Sequence, residues 1–311
     1  MHFAMPPRKT SRPPPYALRN SRSSLKTLLR RSNMKFLAVV ALGCFGIIYI
    51  LGHLFSSGTP QVIPAGTPPV VVVTVMNDNF DASFIAKIKK NRRDYAARHG
   101  YATFFPNTAD YDLGQSPVSW SKVIGMRHAM SAYPSSTYFW YLDSTALIMN
   151  PSYTIESHIM NKERLESLMI VNEPVVPPDS VIKTFDNLKG DRIDLVVTQD
   201  GEGISPSSFI IRRGEWAKYF LDAWFDPLYR SYNFQKAEQH ALEHIVQWHG
   251  TILAKLALVP QRTLNSYIND PDGKNLKNMY SEGDFVANFI GCDREKRSCV
   301  DEMEPFMNML E

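Results

Sequence analysis

From Val70 onward, apolar and polar positions fall into blocks that read as strands and helices in turn. Val70 to Met76 (VVVVTVM) is a run of β-branched residues bounded by Pro69 and by Asn77-Asp78-Asn79, the pattern of a buried parallel strand. Phe84 to His99 sets apolar residues at helical spacing among basic ones and stops at Gly100, a natural C-cap. Tyr101 to Phe105 reads as a second strand, Trp120 to Tyr133 as a second helix stopped by Pro134, and Tyr138 to Leu142 (YFWYL) as a third buried strand. This βαβαβ order predicts an open α/β sheet. Further on, Leu195 to Thr198 and Ser208 to Arg212 read as strands, and Gly214 to Trp224 and Gln235 to Gln247 as helices. Ile252 to Pro260 leads into another strand, and Phe285 to Ile290 is a last short one. No internal repeat is visible.

Before Val70 the pattern is different. Phe36 to Phe55 (FLAVVALGCFGIIYILGHLF) carries no Asp, Glu, Lys or Arg, and its clearly polar side chain is His53, near the far end. About 20 apolar residues span a bilayer as a helix. The apolar core of a cleaved signal peptide is shorter, and a small-residue cleavage site follows it, so an uncleaved anchor fits better. Nine Lys or Arg and no Asp or Glu precede Phe36, while the whole chain has a net charge of only +3. Taken alone, such a tail suits nucleic acid or anionic lipid. Placed just before an apolar span it reads as the cytosolic flank, which puts the bulk of the chain in a lumen and leaves no role for nucleic acid. The expected organisation is a disordered basic tail (1–35), a transmembrane signal anchor (36–55), a Pro/Gly-rich stem (56–69) and one lumenal domain (70–311).

Asp143 ends the third strand. Ligands of open α/β sheets bind outside the carboxyl ends of strands, so Asp143 stands where chemistry is expected, although a carboxylate there also serves simply to cap a turn. The segment Tyr141 to Pro151 (YLDSTALIMNP), an apolar strand ending in Asp and followed by apolar residues, is the frame of the D-x-D motif of nucleotide-sugar transferases. In that motif carboxylates hold a divalent metal against a diphosphate. Thr145 occupies the second acidic position.

The block YFWYLDSTALIMNP resembles W-x-W-L-D-x-D-A-L-I-M-N of glycosyltransferase family 34, and other blocks follow in the same order. Arg93 to Tyr101 resembles R-x-x-Y-A-x-x-H-G-Y. Trp120-Ser121-Lys122 resembles W-x-K, and Gly203 to Arg212 is similar to G-L-N-x-G-S-F-x-I-R. Glu238 to Leu242 is similar to D/E-Q-x-A-L, and Phe289 to Cys292 to H-F-x-G-C. The blocks cover roughly residues 70–300. Glu243 to His249 and Val259 to Tyr267 look most like the fungal Golgi α-1,6-mannosyltransferase branch, of the type found as subunits of a mannan polymerase complex.

The resemblance implies a nucleotide-sugar transferase (GT-A-like) fold with a single Rossmann-like domain. It implies retaining transfer of mannose from GDP-mannose to the α-mannan of N-glycans, in a Golgi membrane complex with homologous mannosyltransferase subunits. It places Asp143, Glu238 and Gln239 in catalysis, and Lys122, Asp143, Ser144 and Thr145 at the donor. It places a metal, Mn2+ by preference, on Asp143. Thr145 and Asn288 stand where relatives carry a second Asp and a metal-binding His, so metal affinity is expected to be weak or dependent on the donor. These substitutions also favour a non-catalytic scaffold or acceptor-presenting subunit as an alternative, beside an α-galactosyltransferase of the same family. Without the resemblance, Lys122 reads as a solvated helix lysine and Glu238-Gln239 as a polar face. Ser205 and Ser207 also depart from the family pattern.

Cys292 and Cys299 lie in a polar loop. In an oxidising lumen they pair across it; otherwise they are two free thiols. His240 and His244 share a helix face but lack a third ligand, so H-x-x-x-H is a weak metal signal. The five Trp residues, 120, 140, 216, 224 and 248, read as core or interface positions rather than sugar platforms.

Overall fold

The computed structural model describes residues 34–56, 63–77, 80–176, 180–232, 234–269, 276–294 and 296–310. Most of the expected tail (1–33) and residues 57–62 of the stem lie outside them. The chain divides into two compact units, Met1–Val62 and Ile63–Glu311.

The first unit contains helix α1 (Met34–Ser56), 23 residues long. Its apolar side chains, Phe36, Leu42, Phe45 and Ile48 among them, are exposed. Among the fully described residues no helix is long and apolar enough to cross a membrane; α1 reaches 23 residues when its backbone is followed from end to end.

In the second unit the chain runs β1 (Val70–Val73), α2 (Ala82–His99), β2 (Ala102–Phe104), α3 (Ser121–Ala132), β3 (Tyr138–Leu142), β4 (Ala146–Ile148) and α4 (Lys162–Leu168). It continues through β5 (Leu195–Gln199), β6 (Ile204–Arg212), α5 (Glu215–Trp224), α6 (Ala237–Trp248), β7 (Leu256–Val259), β8 (Ser266–Tyr267), β9 (Val286–Asn288) and α7 (Cys299–Asn308). Asp81 caps α2 by accepting from the Phe84 amide at 2.9 Å, and Gly100 closes it in the left-handed conformation at φ 68°.

Six strands form a mixed sheet in the order β2-β1-β3-β6-β5-β7. β1 is parallel to β2 and β3, while β6 runs antiparallel to both β3 and β5. A smaller sheet has the order β4-β9-β8. Alternation along β1 and β3 divides the core. Val71, Val73, Phe139 and Tyr141 pack with Val123 and Met126 of α3, Phe220 of α5 and Ile245 of α6. Val70, Val72, Trp140 and Leu142 pack on the other face with Tyr95 and Phe285. A third cluster joins Phe84 and Ile88 of α2 to Leu147, Phe289 and Met303 of α7.

The expected open α/β sheet is therefore present, as a mixed sheet. Three details differ from the sequence reading. β6 begins at Ile204 rather than Ser208, because its polar start pairs with β5 through a register shift that carries Ser205↔Thr198 and Phe209↔Val197. Pro206, which has no N–H to give, falls within that irregular stretch. The apolar residues after Asp143 form β4, a strand of the second sheet. Helix α7, with Pro305 inside it, was not foreseen. Trp248 is exposed (74%), whereas Trp120, Trp140 and Trp224 are buried.

Candidate active site

A cavity of about 330 Å³ opens at the carboxyl ends of β1 and β3. Each wall comes from a different element. The start of α3 supplies Lys122, the β3–β4 turn supplies Asp143, Ser144 and Thr145, and the start of α6 supplies Glu238 and Gln239. Ser205 and Ser207 come from β6, Asn288 from the end of β9, and Asp293 from the loop after it. The residues singled out in the sequence, separated by as many as 166 positions between Lys122 and Asn288, thus line one space.

At its centre Lys122 Nζ lies 3.0 Å from Glu238 Oε1 and 3.6 Å from Asp143 Oδ2. The Tyr141 hydroxyl donates to Asp143 Oδ1 at 2.7 Å, and Lys122 Nζ sits 5.6 Å from the Tyr141 ring centroid. Burial alone would discharge Lys122. Asp143 and Glu238 outweigh it, and the ammonium is pushed up to about 12. Burial holds Asp143 above the usual carboxylate range, and Glu238 adds to this. The opposing pull of Lys122 and the Tyr141 hydroxyl does not cancel it. Two carboxylates thus share one ammonium, which leaves one negative charge in excess at the cavity wall. Trp224 Nε1 donates to the Glu238 carbonyl at 2.8 Å and ties the start of α6 to the core.

The turn carrying Asp143 is held from behind by Arg92, a fully buried side chain that donates to the carbonyls of Asp143, at 2.8 Å, and of Ala146. Neighbouring Asn91 accepts from the Ile148 amide and donates to its carbonyl. Burial lowers the Arg92 guanidinium to about 9, against the pull of Asp143. The sequence reading passed over Arg92 and started that motif at Arg93, which instead lies against the Phe105 ring. Counting R-x-x-Y back from Tyr95 reaches Arg92, so the spacing contained the signal.

Asn288 is fully buried. Its Nδ2 donates to Asn265 Oδ1 at 2.7 Å and to Ser207 Oγ at 3.0 Å, while its Oδ1 has no partner. Asn265 Nδ2 reaches Ser205 and Ser207, and Ser205 meets the Tyr267 hydroxyl, which donates to Asp200 at 2.7 Å. Asn265, Tyr267 and Asp200 were not singled out in the sequence, because no local pattern distinguishes polar residues that meet only in three dimensions.

For a divalent cation the available donors are the Asp143 carboxylate, the Thr145 hydroxyl and the orphan Asn288 Oδ1. All are hard oxygens, and a buried oxygen without a partner is the kind of atom a cation or water satisfies. These donor types suit a hard divalent cation, and with one carboxylate among them they offer it little charge. No cluster of three His, Cys, Asp or Glu suited to a metal occurs among the described residues. His240 Nδ1 accepts from the Lys236 amide, and His244 packs between aromatic rings, 5.6 Å from Tyr229 and 6.0 Å from Trp248. Cys292 and Cys299 form a disulfide that closes the loop bearing Asp293.

Residues 66–299 match the model of the galactosyl transferase GMA12/MNN10 family. An uncharacterised α-1,2-galactosyltransferase of Schizosaccharomyces pombe is 32% identical over 76% of this chain and 76% of its own length. A probable α-1,6-mannosyltransferase of Saccharomyces cerevisiae, MNN11, is 31% identical over 76% of this chain; the match spans 60% of that protein. In fold, the chain resembles the crystal structure of a glycosyltransferase involved in glycosylation of the major capsid of PBCV-1. The TM-score is 0.54 at 15% identity, over 78% of this chain and all of that one.

Proposed function

Because the chain belongs to the galactosyl transferase GMA12/MNN10 family and is a hexosyltransferase, we propose that its cavity carries out retaining α-1,6 transfer of mannose from GDP-mannose to an α-mannan acceptor. The observation that carries this reading is the triad of Lys122, Asp143 and Glu238 in one cavity at the carboxyl ends of the central strands. Lys122 faces the leaving diphosphate and takes up its negative charge. Glu238 and Gln239, on the wall supplied by α6, orient the acceptor hydroxyl. Asp143, Thr145 and Asn288 would hold a divalent ion, Mn2+ by preference, and Ser144 completes the turn at the donor. When bound, that ion neutralises the diphosphate and makes it a better leaving group. The leaving phosphate oxygen takes the acceptor proton on the same face, which needs no carboxylate nucleophile.

A second reading has its own support. The S. pombe relative covered over 76% of its length is named a galactosyltransferase, so a galactose donor competes with mannose. A non-catalytic, partner-dependent subunit is the third, motivated by Thr145 and Asn288. The test is transfer by the full chain in detergent from GDP-mannose and UDP-galactose to an α-mannobiose acceptor, with the product linkage read by NMR. Mannose in α-1,6 linkage, from the chain alone or with added homologous subunits, supports the proposal; galactose transfer alone replaces it.

The proposed setting is a Golgi membrane, with the tail cytosolic, α1 as a single-pass type II anchor and residues 70–311 as the lumenal domain. At about 1.5 Å per residue, the helix Met34–Ser56 exceeds a hydrocarbon core of about 30 Å. Nine basic residues precede the apolar run, which supports that orientation. Protease added to intact microsomes would trim only the tail; digestion of the bulk without detergent would refute the topology. Assembly with homologous mannosyltransferase subunits is part of the same proposal.

A further inference from the structure

Glu243 is a buried carboxyl (7% exposed) one turn along α6 from Gln239, and the chemistry above makes no use of it. Its Oε1 accepts from two directions. Gln239 Nε2 lies 3.3 Å away, and the Ile204 backbone amide, at the first residue of β6, lies 3.1 Å away. Both partners lead to the cavity. Gln239 lines it directly, and Ser205 and Ser207, immediately after Ile204, line the adjoining wall.

The carboxyl reaches this position because Gly203 has no side chain. A Cβ at Gly203 would stand 2.0 Å from Glu243 Oε1 and 2.9 Å from its Cδ. On its other side the same turn is fixed by Asp200, whose Oδ1 accepts from the amides of Glu202 and Gly203 and whose Oδ2 accepts from the Tyr267 hydroxyl. The backbone carbonyl of Glu243 is itself held by Gln247 Nε2 at 3.1 Å. The charged groups facing the carboxyl are Lys236, at the start of α6 and paired with Glu202, and Asp200 on the turn.

We propose that Glu243 is a positioning residue for transfer: by gripping Gln239 and Ile204 together, it sets the Gln239 carboxamide in register with the Ser205–Ser207 wall. A free Gln239 side chain would sample several rotamers, and the Ile204 amide would be buried without an acceptor. The role given to Gln239 rests on the function proposed above, whereas the grip itself does not.

Two measurements on the full chain in detergent separate these claims. The first is hydrogen exchange at the Ile204 amide. Glu243→Ala should speed it about tenfold or more, and Gly203→Ala, which drives the carboxyl out, should do the same. Glu243→Gln, which keeps an acceptor oxygen in place, should leave exchange within about threefold of wild type. Unchanged exchange in Glu243→Ala overturns the grip, whether or not any donor has been found.

The second is a double-mutant cycle on kcat/KM for sugar transfer, with Gln239→Ala as the other arm. The loss caused by Glu243→Ala should be at least about fivefold larger with Gln239 present than with it removed, and Glu243→Gln should restore the rate. A smaller difference means Glu243 acts elsewhere and overturns the positioning role. If Glu243→Ala does not fold, Glu243→Asp, one methylene too short to reach both partners, takes its place in both measurements. If no nucleotide sugar is turned over by wild type, the functional reading fails, and the exchange result alone decides the grip.

Discussion

Lys122 and Glu238 meet at 3.0 Å with side chains only 9% and 6% exposed, so the ion pair that joins α3 to α6 is shut away from bulk water. Asp143 leans on the same ammonium from 3.6 Å. A surface pair of this geometry would contribute little; here, removing the ammonium leaves the buried Glu238 and the half-buried Asp143 without their shared cation.

Lys122→Met should therefore cost both stability and activity. Breaking a buried pair from one side typically costs about 3–5 kcal/mol, relieved in part by protonation of Asp143, which burial already holds above the usual carboxylate range. The melting temperature of Lys122→Met should consequently recover as pH falls. Donor KM should rise about tenfold or more in the same variant. Thermal scans across pH, with initial rates at several donor concentrations, check both. A variant as stable as wild type at neutral pH would show that the carboxylates do not depend on Lys122.

The orphan oxygen of Asn288 and the hydroxyl of Thr145 give a metal little charge to hold. The unmodified chain should bind Mn2+ weakly without nucleotide and more tightly with GDP, which brings its own phosphates. Thr145→Asp combined with Asn288→His should tighten binding by about tenfold or more. Calorimetric titration with and without GDP reads all four cases. Tight binding to the unmodified chain alone would contradict the donor-dependent site.

Much of this was visible in the sequence, and what was not has definite causes. β1, α2, β2, α3 and β3 follow from periodicity and from the stops at Gly100 and Pro134. Lys122, Asp143, Glu238 and Asn288 were nominated from short blocks in the right order, and the fold brings them to one cavity. The burial of Glu243 was not legible, since burial of a charged side chain is decided by what packs over it, whereas Arg92 stood at the motif's own spacing from Tyr95. The polar start of β6 concealed a strand, because Ser205-Pro206-Ser207-Ser208 has no apolar alternation. Its partners Asn265 and Asn288 lie about 60 and 80 residues away in the chain and meet it only after two sheets have formed.

Glu243 gives a pH test with a definite sign. Burial pushes its carboxyl up to about 7, from an ordinary 4.5, although Gln239, Ile204 and Lys236 pull it down. Between those values the folded chain holds a proton that the unfolded chain has lost, so stability falls as pH rises through this window. Glu243→Gln removes that slope. Its melting temperature should exceed that of wild type at about pH 8 and approach it at about pH 4.5. Parallel curves for the two proteins would mean the carboxyl titrates normally.

The Cys292–Cys299 disulfide closes a short loop that carries Asp293 into the cavity wall. Intact mass with alkylation under non-reducing conditions should find both thiols blocked. Replacing both with Ser should cost about 2 kcal/mol by the loop-entropy relation, read as a lower melting temperature. Two alkylated thiols in freshly isolated protein would remove the constraint.

The most direct measurement is the initial rate of sugar transfer from GDP-mannose to an α-mannan acceptor, for the full wild-type chain beside Asp143→Ala, each assayed alone and with added homologous subunits. If this cavity performs the transfer, Asp143→Ala lowers the rate by about a hundredfold or more in both settings, with thermal stability showing that the variant is folded. If Asp143→Ala leaves transfer in the presence of those subunits fully active, the cavity is dispensable, and the chain serves the reaction as a scaffold.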